Sequence, residues 1–389
     1  MGPRRTLRNW FTGGELNYPK VQPHLMIVIH SLGGGGAERV AVDMCDYWLK
    51  QGCRVTLVTQ SSPETDAYAV PDGVDRRALG LAAHSSGRLS GILSNLRRVW
   101  ALRRLIRRLR PNVVLGMMTT ASVLSILAAR RLPMRVIATE HTHPPSQTLA
   151  PMWEALRRKT YPRAHAVVAL TSGTAAWLQQ HVPGSQVAVI PNAVRWPMEI
   201  GQPVVAPPSR DGRKRVLAVG RLHPHKGFDI LLRAFAQLAD YFPDWDLVIL
   251  GEGDEREALQ RQVDESGLSE RVIMPGRVGN LSEWYEQSDL YVLSSRVEGL
   301  SNTLIEAMAS GLPVVAFDCE TGPREIIRHE IDGILVDQVE DEEALAAHMA
   351  DLMARPERRQ GLARRAIDVR DRFSTARVMS MWRQLFGFR

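Results

Sequence analysis

Residues 298–306 read EGLSNTLIE and follow a short apolar stretch, LYVL, at 290–293. The apolar stretch predicts a buried β-strand, and the residues after it predict a glycine turn and a helix that Ser301 or Asn302 can cap. Such a turn is suited to hold an anion, because free backbone N–H groups and the positive helix end face one point. Glu298 and Glu306 would lie at its rim, where carboxylates accept hydrogen bonds from hydroxyl groups such as those of a ribose.

Two further apolar stretches also run into glycine turns. Residues 216–219 lead into Gly220, and the turn that follows contains Arg221 and Lys226. Both cations can reach a diphosphate. The planar guanidinium of Arg can donate two parallel hydrogen bonds, whereas the ammonium of Lys acts as a compact point charge. Residues 247–250 end at Gly251, and we expect this glycine to let backbone approach a ligand closely.

Strand and helix signals alternate along both halves of the chain. This alternation predicts two parallel sheets with helices on both faces and ligands at the carboxyl ends of the strands. In the first half, strands are predicted near 25–30, 54–59, 112–116, 135–139, 165–170 and 187–190, and helices near 37–51, 90–110, 120–131, 151–161 and 172–181. In the second half, strands are predicted near 215–219, 246–250, 271–274, 289–293, 313–316 and 333–336, with the final helices between about 341 and 386.

On these residues the chain resembles the retaining nucleotide-sugar transferases of glycosyltransferase family 4. The resemblance rests on the acids of 298–306, on Gly220-Arg221 and Lys226-Gly227, and on the glycine-rich stretch 32–39. The stretch 321–325 is similar to members that extend polysaccharide or lipid-linked oligosaccharide chains. The resemblance implies an α/β, GT-B fold, with two Rossmann-like domains whose parallel sheets face a central cleft.

Five segments are expected along the chain. Pro and Gly residues mark a linker, and the resemblance implies that the last helix crosses back to the first domain. The segments are a flexible leader at 1–24, an acceptor-binding N-terminal domain at 25–195, the linker at 196–212, a nucleotide-sugar-binding C-terminal domain at 213–372 and a crossing helix at 373–389.

The resemblance also assigns roles to individual residues. It implies that Glu306 binds the ribose hydroxyls and Glu298 the hydroxyls of the donor sugar, while Arg221 and Lys226 neutralise charge on the departing nucleoside diphosphate. His141, which follows the strand at 135–139, is expected to touch the donor sugar. Because the departing phosphate oxygen can take the acceptor proton, no protein base is named. Further donor-binding residues are predicted at Gly34, Gly35, Arg277, Gly299, Leu300, Ser301 and Asn302.

The segment 88–110 is rich in arginine, has no acidic residue and carries apolar residues at helical spacing. One interpretation is a helix that packs on the core and has a solvated basic face. The interpretation that we favour is a face for anionic lipid or for the diphosphate of a lipid-linked acceptor, with the apolar stripe packed on the sheet. The arginines assigned to this membrane or acceptor face are Arg97, Arg98, Arg103, Arg104, Arg107 and Arg108; Arg88 and Arg110 also belong to the segment.

Bulk properties narrow the class of protein. The chain has 389 residues, a net charge of +7 and three cysteines without metal-binding spacing. Residues 1–195 carry +15 and the remainder −8, which favours an anionic partner for the first half. No apolar run is long enough to span a bilayer, and no nucleic-acid module is recognisable. The sequence 244–246, DWD, has the spacing of a metal motif but is predicted to be a solvated turn before its strand, so no metal is expected.

Together these patterns predict a cytoplasmic, peripherally membrane-bound, metal-independent retaining glycosyltransferase. The expected donor is a UDP-sugar, with GDP-mannose left open, and the expected acceptor is a glycan or a polyprenyl-diphosphate-linked glycan. A nucleotide-sugar epimerase and a non-catalytic scaffold of the same fold are the alternatives. A nicotinamide-dependent oxidoreductase is disfavoured, because the glycine turns lack the expected Gly-x-Gly-x-x-Gly with a ribose-binding acid beyond it.

Overall fold

The computed structural model describes residues 22–81 and 88–388, in which strands and helices form two α/β units. Residues 1–21 of the predicted leader at 1–24 lie outside the described residues. The strands of the first unit are β1 (His24–Ile29), β2 (Arg54–Thr59), β3 (Asp75–Ala78), β4 (Val113–Met117), β5 (Arg135–Glu140), β6 (Ala166–Ala169) and β7 (Val187–Val189). Those of the second are β8 (Lys214–Val219), β9 (Trp245–Leu250), β10 (Val272–Gly276), β11 (Leu290–Leu293), β12 (Val314–Phe317) and β13 (Ile334–Val336).

Helices connect these strands and cover both faces of each sheet. The first unit contains α1 (Gly36–Lys50), α2 (Arg88–Leu109), α3 (Thr119–Ala128), α4 (Pro151–Thr160) and α5 (Ser172–His181). The second contains α6 (Phe228–Leu238), α7 (Arg256–Glu265), α8 (Leu281–Glu286), α9 (Asn302–Ala309), α10 (Pro323–Ile326), α11 (Glu342–Ala354), α12 (Pro356–Ala366) and α13 (Val369–Arg372), and the chain continues into α14 (Thr375–Phe386).

Both sheets have the same strand order. Within the described residues, the first sheet runs β3-β2-β1-β4-β5-β6-β7 and the second β10-β9-β8-β11-β12-β13, with neighbouring strands parallel. In each, the order reverses beside the first strand of the unit, so a crevice opens at the carboxyl ends of β1 and β4 and of β8 and β11. The predicted α/β class with two parallel sheets is therefore confirmed.

The core explains why the central strands read as continuous apolar runs. Strand β1 is buried on both faces: Leu25 and Ile27 pack into one cluster, and Met26 and Val28 pack into the other. A strand covered by helices on both sides has no polar face, so its sequence does not alternate.

Strand β3 was missed by the sequence analysis. Its sequence is Asp-Arg-Arg-Ala at 75–78, and its residues are exposed or half-buried at the edge of the first sheet. An edge strand needs no apolar pattern, and charged residues there discourage pairing with other chains. Hydrophobic periodicity could therefore not reveal it.

Helix α14 follows the second unit in sequence but packs against the first. Val378, Met379, Trp382 and Phe386 belong to the same buried cluster as β1 and α1. The Arg135 guanidinium also donates to the backbone oxygen of Leu385 at 3.2 Å. The helix thus joins the two units a second time, in addition to the connection between β7 and β8. The segment limits given above remain predictions.

We predict that Trp382→Ala destabilises the first unit strongly. Trp382 is buried against Phe386, so the substitution leaves a cavity and is expected to lower the free energy of unfolding by about 3 kcal/mol. Urea unfolding followed by fluorescence measures this loss. Trp100→Ala serves as the control, since Trp100 is exposed and should cost within about 0.5 kcal/mol. Equal losses in the two variants would contradict the packing of α14.

Candidate active site

Three turns meet at adjacent strand ends of the second sheet. Strand β8 is hydrogen-bonded to β9 on one side and to β11 on the other, so Gly220, Gly251 and the turn after Leu293 lie side by side. A Cβ atom added to Gly251 would lie 1.8 Å from the backbone oxygen of Gly220. This glycine therefore admits the neighbouring turn, whereas the sequence analysis expected it to admit a ligand.

Glu298 lies in the turn after β11 and is held by two hydrogen bonds. Lys226 Nζ donates to its Oε1 at 2.6 Å, and the Ser295 hydroxyl donates to the same oxygen at 2.7 Å. Only 8% of the residue is exposed. A buried carboxylate needs a cation of this kind, since an unpaired charge away from water is costly. Lys226 and Glu298, predicted separately as site residues, thus form one ion pair.

Glu306 lies in α9, which begins as predicted with a cap from Ser301. The Ser301 hydroxyl accepts a hydrogen bond from the backbone N–H of Leu304 at 3.4 Å. One oxygen of Glu306 pairs with the guanidinium of Arg39, and the other accepts from the Tyr285 hydroxyl at 3.3 Å. Arg39 belongs to α1, so this ion pair joins the two units.

The glycine-rich loop before α1 faces the turns of the second unit. A Cβ atom added to Gly34 would lie 3.2 Å from the guanidinium of Arg277, and one added to Gly35 would lie 3.9 Å from that of Arg221. The carboxylate of Glu38 accepts from the Gly35 N–H at 2.5 Å, so the chain itself already satisfies one donor at this helix end.

Arg221 is exposed at the mouth of this cleft. Within residues 22–81 and 88–388, its guanidinium takes part in no hydrogen bond or ion pair. Arg277, in contrast, lies 5.6 Å from the ring of Tyr68 and donates to the Ala67 carbonyl at 3.5 Å. An exposed arginine without a partner is suited to bind an anion.

His141 follows β5 at the floor of the cleft. Both of its ring nitrogens are buried and have no hydrogen-bond partner among the described residues. Burial lowers the pKa of His141 to about 4, so the ring is neutral near pH 7. A buried polar group without a partner is unusual in a folded protein, and a ligand in the cleft would supply one.

The two units touch closely around these residues. A Cβ atom added to Gly299 would lie 2.2 Å from the backbone oxygen of His141, so only glycine permits this approach. The Asn192 amide donates to Asn302 Oδ1 at 2.8 Å, beside the start of α9. The backbone N–H of Ser172 donates to the Glu325 carboxylate at 2.8 Å. Most of the predicted site residues are thereby brought to one interface between the units; Leu300 has its side chain in the core, which leaves its backbone to serve the site.

The sequence analysis left Arg39 unassigned. It occurs in the stretch Gly36-Ala37-Glu38-Arg39 at a helix start, where a charged residue is common on the surface. Its partner, Glu306, lies 267 positions further along the chain. A basic residue in the first turn of a helix opposes the helix dipole, and this was the signal that could have marked it.

The interpretation of residues 244–246 as a solvated turn was wrong in part. Trp245 and Asp246 are buried in β9, and the Asp246 carboxylate accepts from Arg213 at 2.6 and 2.7 Å and from Arg271 at 3.2 Å. Both oxygens are used by arginines, which explains the acid without a metal. Among the described residues, no group of three or more His, Cys, Asp or Glu side chains is placed to hold a metal ion.

The basic helix α2 differs from its prediction. Leu102 and Ile106 are buried, but Leu93, Leu96 and Trp100 are 58%, 59% and 62% exposed, so the apolar stripe does not pack entirely on the sheet. These three share a face with Arg97, Arg104, Arg107 and Arg108, which are exposed.

Two of the six arginines that were predicted to form this face are held by hydrogen bonds to backbone carbonyl groups. Arg103 donates to the carbonyl oxygens of Ala128 and Arg130 at 2.7 and 2.9 Å, and Arg98 donates to that of Leu81 at 2.8 Å. These contacts satisfy carbonyl groups at the ends of a helix and a loop, so both side chains have a structural role. In the part of the chain that the structure describes, no helix is both long and apolar enough to cross a bilayer.

We predict that stability decreases as the pH falls from about 6.5 to about 4. The folded state holds His141 neutral with its pKa lowered to about 4, whereas the unfolded chain binds the proton near 6.5. The unfolded state therefore binds more protons in this window, and acid favours unfolding. The measurement is the free energy of unfolding in urea at several pH values. His24, whose pKa burial also lowers to about 4, contributes in the same direction.

His141→Gln is expected to weaken this pH dependence, because it removes one of the histidines whose pKa is lowered by burial. His181→Gln, at an exposed position on α5, should leave the dependence unchanged. A slope in His141→Gln equal to that of the unaltered protein would contradict the neutral, buried state of the ring.

Two family models match the chain and together cover both units. Residues 34–195 match the model described as Glycosyltransferase Family 4, and residues 204–369 match the model described as Glycosyl transferases group 1. The boundary between the two matches falls in the connection between β7 and β8.

Two named relatives match over almost their whole length, and a third matches over a part of its length. AmsD of Erwinia amylovora, an amylovoran biosynthesis glycosyltransferase, is 28% identical over 93% of this chain and 99% of that protein. An N-acetyl-D-galactosaminyltransferase of Campylobacter jejuni, named for an undecaprenol-diphosphate-linked glycan, is 26% identical over 93% and 98%. The exopolysaccharide phosphotransferase SCO2592 of Streptomyces coelicolor is 31% identical over 73% of this chain, which spans only 29% of that protein.

Solved structures agree in fold. The Anabaena protein HepE, solved in complex with UDP, superposes with a TM-score of 0.75 at 18% identity, over 94% of this chain and 99% of that one. At this level of identity the likeness concerns the arrangement of the two units.

Proposed function

The chain belongs to the family 4 glycosyltransferases with the GT-B fold, and we propose that it is a retaining enzyme that needs no metal. Its donor would be a UDP-sugar, and its acceptor a polysaccharide or a lipid-linked glycan at the inner membrane surface. One observation carries the donor site: the buried carboxylates of Glu298 and Glu306 lie at a glycine-lined interface between the two units. The guanidinium of Arg221 approaches the same interface at Gly35.

The charges of this site match a nucleotide-sugar. Glu306 would accept hydrogen bonds from the ribose hydroxyls, and Glu298 from the hydroxyls of the sugar. Backbone N–H groups at the start of α9 would hold the diphosphate, since a helix N-terminus favours an anion. Arg221, which is exposed and has no partner among the described residues, would bind it from the other side.

The same residues would promote departure of the nucleoside diphosphate. In the proposed step, the bond between the sugar C1 and the phosphate oxygen breaks, and a bond from C1 to the acceptor oxygen forms on the same face. The acceptor proton goes to the departing phosphate oxygen. Arg221 and Lys226 would stabilise the negative charge that develops there, and in many enzymes such electrostatic stabilisation accounts for most of the rate enhancement. This step calls for no protein base and no metal.

The nature of the acceptor is inferred from relatives and from α2. AmsD is named for amylovoran biosynthesis, and the Campylobacter transferase is named for a glycan on undecaprenol diphosphate. The exposed face of α2 combines Leu93, Leu96 and Trp100 with four exposed arginines. Apolar residues among arginines are typical of a helix that lies in an anionic membrane surface. This supports a peripheral position beside a lipid-linked acceptor.

Nucleotide binding is the first prediction from this proposal. UDP or a UDP-sugar should raise the melting temperature, because a ligand that binds only the folded state stabilises it. A thermal-shift series with UDP, GDP, ADP and their sugars, with and without EDTA, tests donor and metal together. A shift with GDP alone would transfer the proposal to a GDP-sugar, and a shift that EDTA abolishes would contradict the metal-independent reaction. If no nucleotide raises the melting temperature, the result would favour the alternative of a non-catalytic scaffold.

Glu298→Gln is expected to lower sugar transfer by about 100-fold or more. Folding should be preserved, because the amide is nearly the same size as the carboxylate. The loss is expected because the neutral amide cannot both accept hydrogen bonds from two hydroxyls and form an ion pair with Lys226. Transfer of labelled sugar to a lipid-linked glycan extract measures the loss. Glu265→Gln, on the exposed end of α7, is the matched control and should retain full activity. Unchanged transfer by Glu298→Gln would exclude the proposed site.

Binding to anionic membranes is the third prediction from this proposal. Changing Arg97, Arg104 and Arg108 together to Gln should weaken co-sedimentation with vesicles of phosphatidylglycerol and phosphatidylethanolamine by about 100-fold, at roughly 1 kcal/mol for each arginine near the surface. Trp100→Ser should weaken it further by removing apolar contact with the acyl region.

The matched control removes the same charge from the second unit. Arg261, Arg364 and Arg365 are exposed, and their joint change to Gln should leave vesicle binding nearly unaffected. Equal losses in the two triple variants would show that binding follows net charge alone, and the proposed role of α2 would then be rejected.

A further inference from the structure

We propose that Arg39 is a positioning residue for the donor. From the opposite unit it holds the Glu306 carboxylate in the orientation in which Glu306 accepts hydrogen bonds from the ribose hydroxyls. This inference rests on the proposed function, since it takes Glu306 as the group that binds the ribose. It adds a charged residue of the first unit to the ribose-binding part of the site, which the second unit otherwise supplies.

The geometry fixes both oxygens of Glu306. The Arg39 guanidinium pairs with Oε1, and the Tyr285 hydroxyl donates to Oε2 at 3.3 Å. Arg39 comes from the first turn of α1, and Tyr285 from α8 in the other unit. A carboxylate held at both oxygens has a defined orientation, so its remaining acceptor sites point in fixed directions.

The acceptor capacity of Glu306 is not exhausted by these contacts. The two oxygens of an ionised carboxylate offer about four acceptor sites, and Arg39 and Tyr285 use two of them. Two sites remain, one on each oxygen, which matches the two vicinal hydroxyl groups of a ribose. Arg39 thus does not compete with the nucleotide for the carboxylate but leaves room for it.

The ion pair also meets an electrostatic need. Glu306 is 7% exposed, and no other cation among the described residues pairs with it. The nearby carboxylate raises the pKa of Arg39 further above its usual range, as expected for an attractive pair removed from water. Removing Arg39 would leave a buried acid without a counter-charge, and such an acid reorients or takes up a proton.

Further charges lie along α1 near Arg39. Asp43 lies one turn after Arg39, and its carboxylate is 3.6 Å from the Arg195 guanidinium. Arg195 also pairs with Asp46 at 2.9 Å and with Glu199 at 2.6 Å. Asp43 and Asp46 of α1 are thus linked through Arg195 to the connection between β7 and β8. The Asp43 carboxylate also raises the pKa of Arg39, so it favours the charged form of this arginine.

The test uses the full chain and compares nucleotides that differ only in the ribose. Arg39→Gln should weaken binding of UDP by about tenfold, the effect of losing a well-oriented charged hydrogen-bond acceptor. Binding of 2′-deoxy-UDP should weaken by only about threefold, because this nucleotide keeps one of the two hydroxyls from which Glu306 accepts a hydrogen bond. Isothermal titration calorimetry measures both, and GDP with 2′-deoxy-GDP replaces the pair if the unaltered protein prefers guanine.

A double variant separates positioning from a general role in joining the units. If Arg39 acts through Glu306, the variant carrying both Arg39→Gln and Glu306→Gln binds UDP no more weakly than Glu306→Gln alone. The matched control is Lys50→Gln, at the exposed far end of α1, which should bind both nucleotides as the unaltered protein does.

Each outcome decides a different question. Equal weakening of UDP and 2′-deoxy-UDP by Arg39→Gln, or losses that add in the double variant, would overturn the inference and leave Arg39 as an interdomain contact only. Unchanged UDP binding by Arg39→Gln would overturn it as well. If the unaltered protein binds neither UDP nor GDP, the proposed function itself fails, and that failure is seen before any variant is made.

Discussion

Two buried carboxylates in the interdomain cleft constrain the rest of the site. Glu298 and Glu306 are almost entirely removed from water, and a charge in that position must be paired. Lys226 pairs with Glu298 from within the same unit, whereas Arg39 reaches Glu306 from the other unit. The second acid therefore ties the electrostatics of the site to the relative position of the two sheets. Gly299 adds a steric condition, since only a glycine allows its backbone to approach the carbonyl of His141.

The repeated strand order explains why residues so far apart in sequence meet. In both sheets the strand order reverses beside the first strand, so each sheet opens a crevice at the carboxyl ends of its strands. The two crevices face each other, which brings the glycine loop before α1 opposite the turns after β8 and β11. The first unit thereby supplies glycine backbone and Arg39, and the second supplies the acids, Arg221 and Lys226. Neither unit contains the whole set.

The features that could be predicted from the sequence are those set by interactions between residues close together in the chain. Apolar runs buried on both faces marked the central strands, and Ser301 marked the start of α9, because strand burial and capping act within a few residues. The polar edge strand β3 and the exposed apolar residues of α2 were missed, since their surroundings are set by the tertiary fold. The same limit hid the Arg39–Glu306 pair: each residue is ordinary in its own segment, and only the arrangement of the two units makes them neighbours. Asp246 shows a different error: it was predicted to be solvated from its position before a strand, and its partners Arg213 and Arg271 could not be seen in the sequence.

Helix α14 has a consequence for the order in which the protein is made. Residues 375–386 leave the ribosome after the whole second sheet, yet their side chains complete the cluster beneath β1 and α1. Until then, the early unit carries an uncovered apolar surface through the synthesis of the later one. Because domains generally fold in the order of synthesis, this surface is open to chaperones or to wrong contacts during that interval. The early unit expressed by itself would keep the same surface exposed, so separation of the two halves at the linker would not give two well-covered domains.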